Sequence, residues 1–165
     1  MVVIKDTKLS KKETIRFMDT SVSANMLLTD LPIGQNVTYS MSPKAEKYGT
    51  LSVSGNFVPK RDGSVKVTVR IGDGKFAAKR VLKIKIKTVR FAKDEDIIIK
   101  SGKSKLIGLK NTNKKDPVKW TLVDTSKASI EVKNNKVKVT GVCAGTTTLI
   151  GELEGRRFTK KIVIE

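Results

Sequence analysis

Cys143 carries the most nucleophilic side chain in this sequence, but the residues that normally activate such a group are missing. It is the single cysteine, and histidine is absent. Without an imidazole, the usual nucleophile–base pairs cannot be built. Cys143 lies between Val142 and Ala144 in an apolar run, which predicts a buried, inert side chain rather than a reactive thiol. Lysine-based or carboxylate-only chemistry stays open, but no spacing favours it, so the sequence predicts that the protein is not an enzyme.

The acidic residues offer one candidate ion site. Asp94, Glu95 and Asp96 form a cluster whose oxygens could bind Ca²⁺. Consecutive side chains of a strand alternate between faces, however, and no EF-hand spacing follows. A solvated turn without metal is the preferred interpretation. The segment Gly72–Gly74 lacks the strand, glycine loop and helix of a nucleotide-binding loop, so it predicts a hairpin turn, and no cofactor is expected.

Basic residues recur in a pattern that could bind anions. Lys and Arg number 34 against 16 Asp and Glu, a net charge of +18, which favours a polyanionic partner or serves solubility. Rows of lysine such as Lys83, Lys85 and Lys87 also protect an exposed edge strand from aggregation, and this alternative stays open. The candidate binding surface consists of Lys83, Lys85, Lys87, Arg156, Arg157, Lys160 and Lys161.

The elements that position these residues are predicted to be strands. Leu82, Ile84 and Ile86 alternate with lysines, which is the period of two that a strand with one buried and one wet face shows. Val118, Trp120 and Leu122 share one face of a strand in the same way, so Trp120 is expected in a core. Aromatic residues make up 5% of the chain, too few for a base-stacking platform. Many short strands separated by turns predict an all-β sandwich architecture.

The chain contains an internal repeat. Residues 62–86 and 144–164 each show a glycine turn, a strand, a second glycine turn, an aromatic residue and a basic strand. Upstream, Tyr39 and Trp120 occupy corresponding places in two short strands. The sequence therefore predicts two tandem immunoglobulin-like β-sandwich domains, formed by residues 1–87 and 88–165.

The second domain resembles the bacterial Ig-like domain family, group two (BIG2). The resemblance rests on Ile97–Leu106, Val118–Thr121, Val139–Ile150 and Phe158–Ile164, in the family's order. The run Val-Thr-Gly-x-x-Ala-Gly-Thr-x-Thr is its most specific part. The first domain matches mainly through its second half, and its first 32 residues depart from the pattern. The resemblance implies a display or adhesion module without catalytic residues, as in intimin-like surface proteins and bacteriophage tail or capsid proteins.

These features lead to three functional hypotheses. The first is a bacteriophage virion component, such as a capsid decoration or small tail or fibre protein, that docks on an acidic capsid or tail surface. It would be assembled in the host cytoplasm, because the N-terminus lacks the apolar core of a signal peptide. The alternative is a stalk or adhesion module of a bacterial cell surface that binds an anionic glycan or host protein. Nucleic-acid binding is less favoured, and no membrane association is expected.

Overall fold

The computed structural model describes residues 7–165, apart from the side chain of Phe76. The chain divides into two compact units, Met1–Thr88 and Val89–Glu165, a boundary one residue after the predicted one. None of the helical turns within the described residues has the length and hydrophobicity that crossing a membrane would require. In both units, strands are the predominant regular secondary structure of the described residues.

The first domain contains two long strands and several short ones. Among its described residues, two 3-10 turns, Pro43–Tyr48 and Gly74–Phe76, lie between strands. The strands are β1 (Lys8–Leu9), β2 (Lys12–Ile15), β3 (Val22–Ser23), β4 (Leu28–Thr29), β5 (Val37–Ser40), β6 (Gly49–Leu51), β7 (Asn56–Pro59), β8 (Gly63–Ile71) and β9 (Ala78–Ile86).

These strands form a sandwich around one apolar core. The main sheet has the order β2-β9-β8-β5, in which β2 runs parallel to β9 and the other neighbours are antiparallel. A second sheet has the order β3-β7-β6, and β1 pairs with β4. Phe57 on β7 packs in the same buried cluster as Val67 on β8 and Leu82 on β9. The segment Gly72–Gly74 begins the connection between β8 and β9, where the sequence predicts a hairpin turn.

The second domain has two four-stranded sheets. Their orders are β11-β17-β16-β13 and β10-β12-β15-β14. The strands are β10 (Arg90–Phe91), β11 (Ile97–Ile99), β12 (Ser104–Lys110), β13 (Lys119–Leu122), β14 (Ala128–Lys133), β15 (Lys136–Gly141), β16 (Gly145–Leu153) and β17 (Arg156–Ile164).

The main sheets of the two domains share one topology. In each, the last strand lies between an early parallel strand and the preceding antiparallel strand. The strand registers also align individual positions of the first domain with positions of the second. Gly63 pairs with Ile86 as Gly145 pairs with Ile164, and Tyr39 and Trp120 occupy equivalent places on β5 and β13. The predicted repeat is thus a repeat of sheet topology.

Trp120 lies in the core of the second domain, as its alternation predicts. It is buried and its ring contacts Phe91 of the opposite sheet, with 6.1 Å between the ring centroids. Its cross-strand partner is Gly151. A Cβ atom placed on Gly151 would lie 2.9 Å from Cζ3 of the indole, so the absence of a side chain there makes room for the ring.

We expect the substitution Gly151→Ala to destabilise the second domain by about 1–3 kcal/mol, because the added methyl group overpacks the core. Denaturant unfolding followed by the fluorescence of Trp120, the single tryptophan, measures this change. Thr121→Ala, at the exposed neighbouring position, is the control and should cost less than about 0.5 kcal/mol. Equal stability of the two variants would contradict the close packing of Gly151 on the indole.

Candidate binding surface

The predicted lysine row of the first domain lies on the outside of its main sheet. Lys83 and Lys85 are exposed on β9, and Lys87 is exposed just beyond its end. Strand β9 is paired on both sides, with β2 and with β8. The hypothesis that this row protects a free edge strand is therefore wrong, since β9 has no free edge along these residues.

The strands beside β9 extend the row into a two-dimensional surface. Twelve side chains of the four strands point outward, and none is acidic or aromatic. We call this surface the cationic sheet face. Its members are Lys12, Lys66, Arg70, Lys79, Lys83 and Lys85, together with Thr14, Thr38, Ser40, Ser64, Thr68 and Val81.

Like charges lie directly opposite each other on this face. Lys83 is the register partner of Lys12 on β2 and of Lys66 on β8, and neighbouring strands are about 4.8 Å apart. Like charges in such cross-strand positions are destabilising. Among the described residues, no carboxylate forms an ion pair with any of these three lysines. A bound anion would therefore relieve a repulsion that the carboxylates of residues 7–165 do not relieve.

An open cavity borders the cationic sheet face beside β1. Its volume is about 480 Å³, and Leu9 and Val81 give it some apolar lining. Arg80 donates from Nε to the carbonyl oxygen of Thr7 at 3.1 Å, which ties β9 to the segment before β1. The remaining lining residues are Lys8, Lys11, Lys79 and Lys83. The cavity thus adds positive charge and a concave shape to one side of the flat face.

The equivalent face of the second domain is partly neutralised. Lys161, equivalent to Lys83, forms an ion pair with Asp96 at 3.1 Å. In register, Asp96 takes the place that Lys12 has in the first domain. Arg157 pairs with Glu152 at 3.8 Å, and Arg156 donates to the carbonyl oxygen of Glu154 at 3.3 Å. The two predicted cationic rows therefore do not form equivalent surfaces.

The acidic cluster does not form a metal site in the structure. Asp96 is engaged with Lys161, and Asp94 and Glu95 are exposed in the segment before β11. Within residues 7–165, no group of three or more His, Cys, Asp or Glu side chains is arranged to hold a metal ion.

Lys160 is a correction to the predicted surface. It is 8% exposed and shares the inner face of β17 with Ile162 and Ile164. Its Nζ donates to the carbonyl oxygens of Lys93 at 2.7 Å and Glu95 at 3.2 Å, and lies 5.5 Å from the ring centroid of Phe91. The equivalent residue of β9 is Leu82. Lys160 therefore holds the segment between β10 and β11 onto the core instead of facing solvent.

Cys143 is a second correction, because its side chain is exposed rather than buried. It follows the end of β15 in a turn, so the alternation of the strand no longer applies to it. Its Sγ lies 3.4 Å from the carbonyl oxygen of Ser126 and 3.7 Å from Nζ of Lys127. Nearby, the hydroxyl of Ser126 donates a hydrogen bond to the carboxylate of Asp124, and the backbone N–H of Ser126 donates another. These two hydrogen bonds, chiefly the one from the hydroxyl, hold the pKa of the Asp124 carboxyl below its ordinary value.

Comparisons with known proteins identify the fold but no family. No family model matches the chain, and no curated protein matches it. Among solved structures, the chain is similar to the D00-D0 domain of intimin, with a TM-score of 0.50, 12% identity, and coverage of 93% of this chain and 96% of that one.

Two further structures match less well. Domains 4 and 5 of the S-layer protein SbsC give a TM-score of 0.40 at 16% identity, with coverage of 97% of this chain and 98% of that chain. The titin fragment I67-I69 gives 0.45 at 13% identity, with coverage of 96% and 63%. The predicted fold class, two tandem immunoglobulin-like β-sandwiches, is confirmed. The assignment to BIG2 stays a prediction.

We expect Lys160→Met to destabilise the second domain by about 2 kcal/mol, because the hydrogen bonds of a charged donor are lost while the aliphatic stem is kept. Unfolding followed by Trp120 fluorescence provides the measurement. Lys161→Met is the matched control, since an exposed ion pair contributes little. If both variants unfold at the same denaturant concentration, Lys160 does not hold the segment in place.

We expect Cys143 to react with a thiol reagent in the folded protein, because its side chain is exposed. Titration with a chromogenic disulfide should detect about one thiol per chain before denaturant is added, and none in Cys143→Ser. A thiol that reacts only after unfolding would restore the buried placement that the sequence predicts.

Proposed function

We propose that this protein is a non-enzymatic binding and display module of a bacterial surface, and that its first domain binds through the cationic sheet face. The observation that carries this proposal is the composition of that face, which has six cationic side chains and no acidic one. Charge of one sign concentrated on one surface attracts a polyanionic partner and raises the rate of encounter with it.

The contrast between the domains supports the choice of the first one. The second domain has the same sheet topology, but Asp96 and Glu152 pair with the cations of its face. Glu152 stands in the register position of Arg70, as Asp96 stands in that of Lys12. At two equivalent places, the first domain thus carries a positive charge where the second carries a negative one.

A surface location is favoured over the virion location that the sequence predicts first. The chain matches a segment of intimin over most of both lengths, and the sequence resemblance associates intimin-like proteins with display and adhesion. A likeness at this identity is evidence of fold, so location and partner are proposed here on the fold together with the charge. Detection of the protein in purified virions would instead favour the virion component.

The binding role of the face is tested by Lys12→Asp with Arg70→Glu, which gives the first domain the carboxylates of the second. We expect this variant to elute from a sulfonated resin at a clearly lower salt concentration than the unchanged protein, because the face loses its uniform sign. Lys114→Asp with Lys115→Glu, at exposed positions of the second domain, makes the same change in net charge and should elute close to the unchanged protein. Equal shifts in the two variants would show that total charge, and not this face, controls binding.

A further inference from the structure

We propose that the cationic sheet face binds a linear anionic polysaccharide, and that one acidic sugar of this polymer occupies the cavity beside β1. This inference rests on the proposed function, since it assigns a ligand class to the same face. It draws on three properties of the face: the spacing of its charges, the residue types that it lacks, and the chemistry of the adjoining cavity.

The spacing of the charges suits a polymer. Lys83 and Lys85 lie two residues apart on β9, which separates them by about 7 Å along the strand. Lys12 and Lys66 flank Lys83 on the neighbouring strands, at about 4.8 Å across the sheet. A small anion reaches one or two members of such a grid. A chain with an acidic group on successive units contacts several of them together, and the many weak contacts add up along its length.

The composition of the face does not suit a folded protein or a nucleic acid. The centres of protein interfaces are enriched in aromatic residues and Arg and depleted in Lys, whereas this face has five Lys, one Arg and no aromatic residue. Binding of single-stranded nucleic acid uses aromatic side chains on which bases stack, and these are missing from the face as well. What the face offers instead is five ammonium groups and one guanidinium group, together with the hydroxyls of Ser and Thr.

The cavity offers the contacts that an acidic sugar needs. Lys8, Lys11 and Lys79 provide positive charge for its carboxylate or sulfate, and Leu9 and Val81 provide apolar surface for its ring carbons. The volume of about 480 Å³ falls in the range of about 300–1,000 Å³ that is usual for ligand sites. Val81 is also the one apolar member of the cationic sheet face and is 40% exposed. Because Val81 belongs both to this face and to the cavity lining, the two surfaces adjoin there.

Titration calorimetry with carboxymethyl-dextran as the probe tests the inference. We expect the unchanged protein to bind this polymer and not neutral dextran. The variant Lys66→Ser, Lys83→Ser, Lys85→Ser should bind about tenfold more weakly, since three exposed charge contacts are lost. The control Lys110→Ser, Lys114→Ser, Lys115→Ser removes the same charge from exposed positions of the second domain and should bind within twofold of the unchanged protein.

The neutral substitution Val81→Ser separates a sugar site from a purely ionic one. It should weaken binding of carboxymethyl-dextran about threefold and leave binding of duplex DNA and of polyglutamate unchanged, because it alters only the apolar contact. No binding of carboxymethyl-dextran, tighter binding of DNA or polyglutamate at equal concentration of anionic groups, or an equal effect of Val81→Ser on all three polymers would overturn the polysaccharide assignment. If the triple face variant still binds every polyanion like its control, the proposed function itself fails.

Discussion

Two long antiparallel strand pairs, β8 with β9 and β16 with β17, fix the position of almost every group described above. Each pair is held in register over nine residue pairs. A slip of one strand by one residue would turn every side chain of that strand to the opposite face of the sheet. A slip of β8 would expose Val67 and bury Lys66, and a slip of β9 would expose Leu82 and bury Lys83. The burial of the apolar side chains and the display of the cations are therefore consequences of a single register.

The same register has different consequences in the two domains. In the first, it places Lys83 between Lys12 and Lys66. In the second, it places Lys161 beside Asp96 and turns Lys160 into the core, where backbone carbonyl oxygens replace the water that a lysine amine otherwise binds. Burying a charged group is costly unless it is hydrogen-bonded, and Lys160 meets this condition. The scaffold thus tolerates different chemistry at equivalent positions.

Local alternation predicts the longer strands, such as β8 and β9, together with the cores and the repeat, because period two is visible in adjacent residues such as Leu82, Lys83 and Ile84. It does not predict the short strands β1 to β4. The predictions for Lys160 and Cys143 are wrong because they use residue type as the guide to exposure. Lys160 obeys the alternation of Ile162 and Ile164, which could have placed it inside, while Cys143 lies in a turn to which alternation does not apply. The cationic sheet face could not be predicted, because the pairing of Lys12 with Lys83 joins segments far apart in sequence, and no local pattern specifies which strands become neighbours.

Solubility alone does not account for the arrangement of charge on the first domain. Solubility depends on net charge and on the absence of large apolar patches, and it is served equally well by cations spread over all surfaces. Placing three lysines side by side on adjacent strands adds repulsion without adding to that benefit. The fold does not demand the arrangement either, since the second domain has carboxylates at the equivalent positions of Lys12 and Arg70. Among the described residues this cluster has no compensating carboxylate, and neither the fold nor solubility requires it. The proposal of an anionic ligand rests on this arrangement.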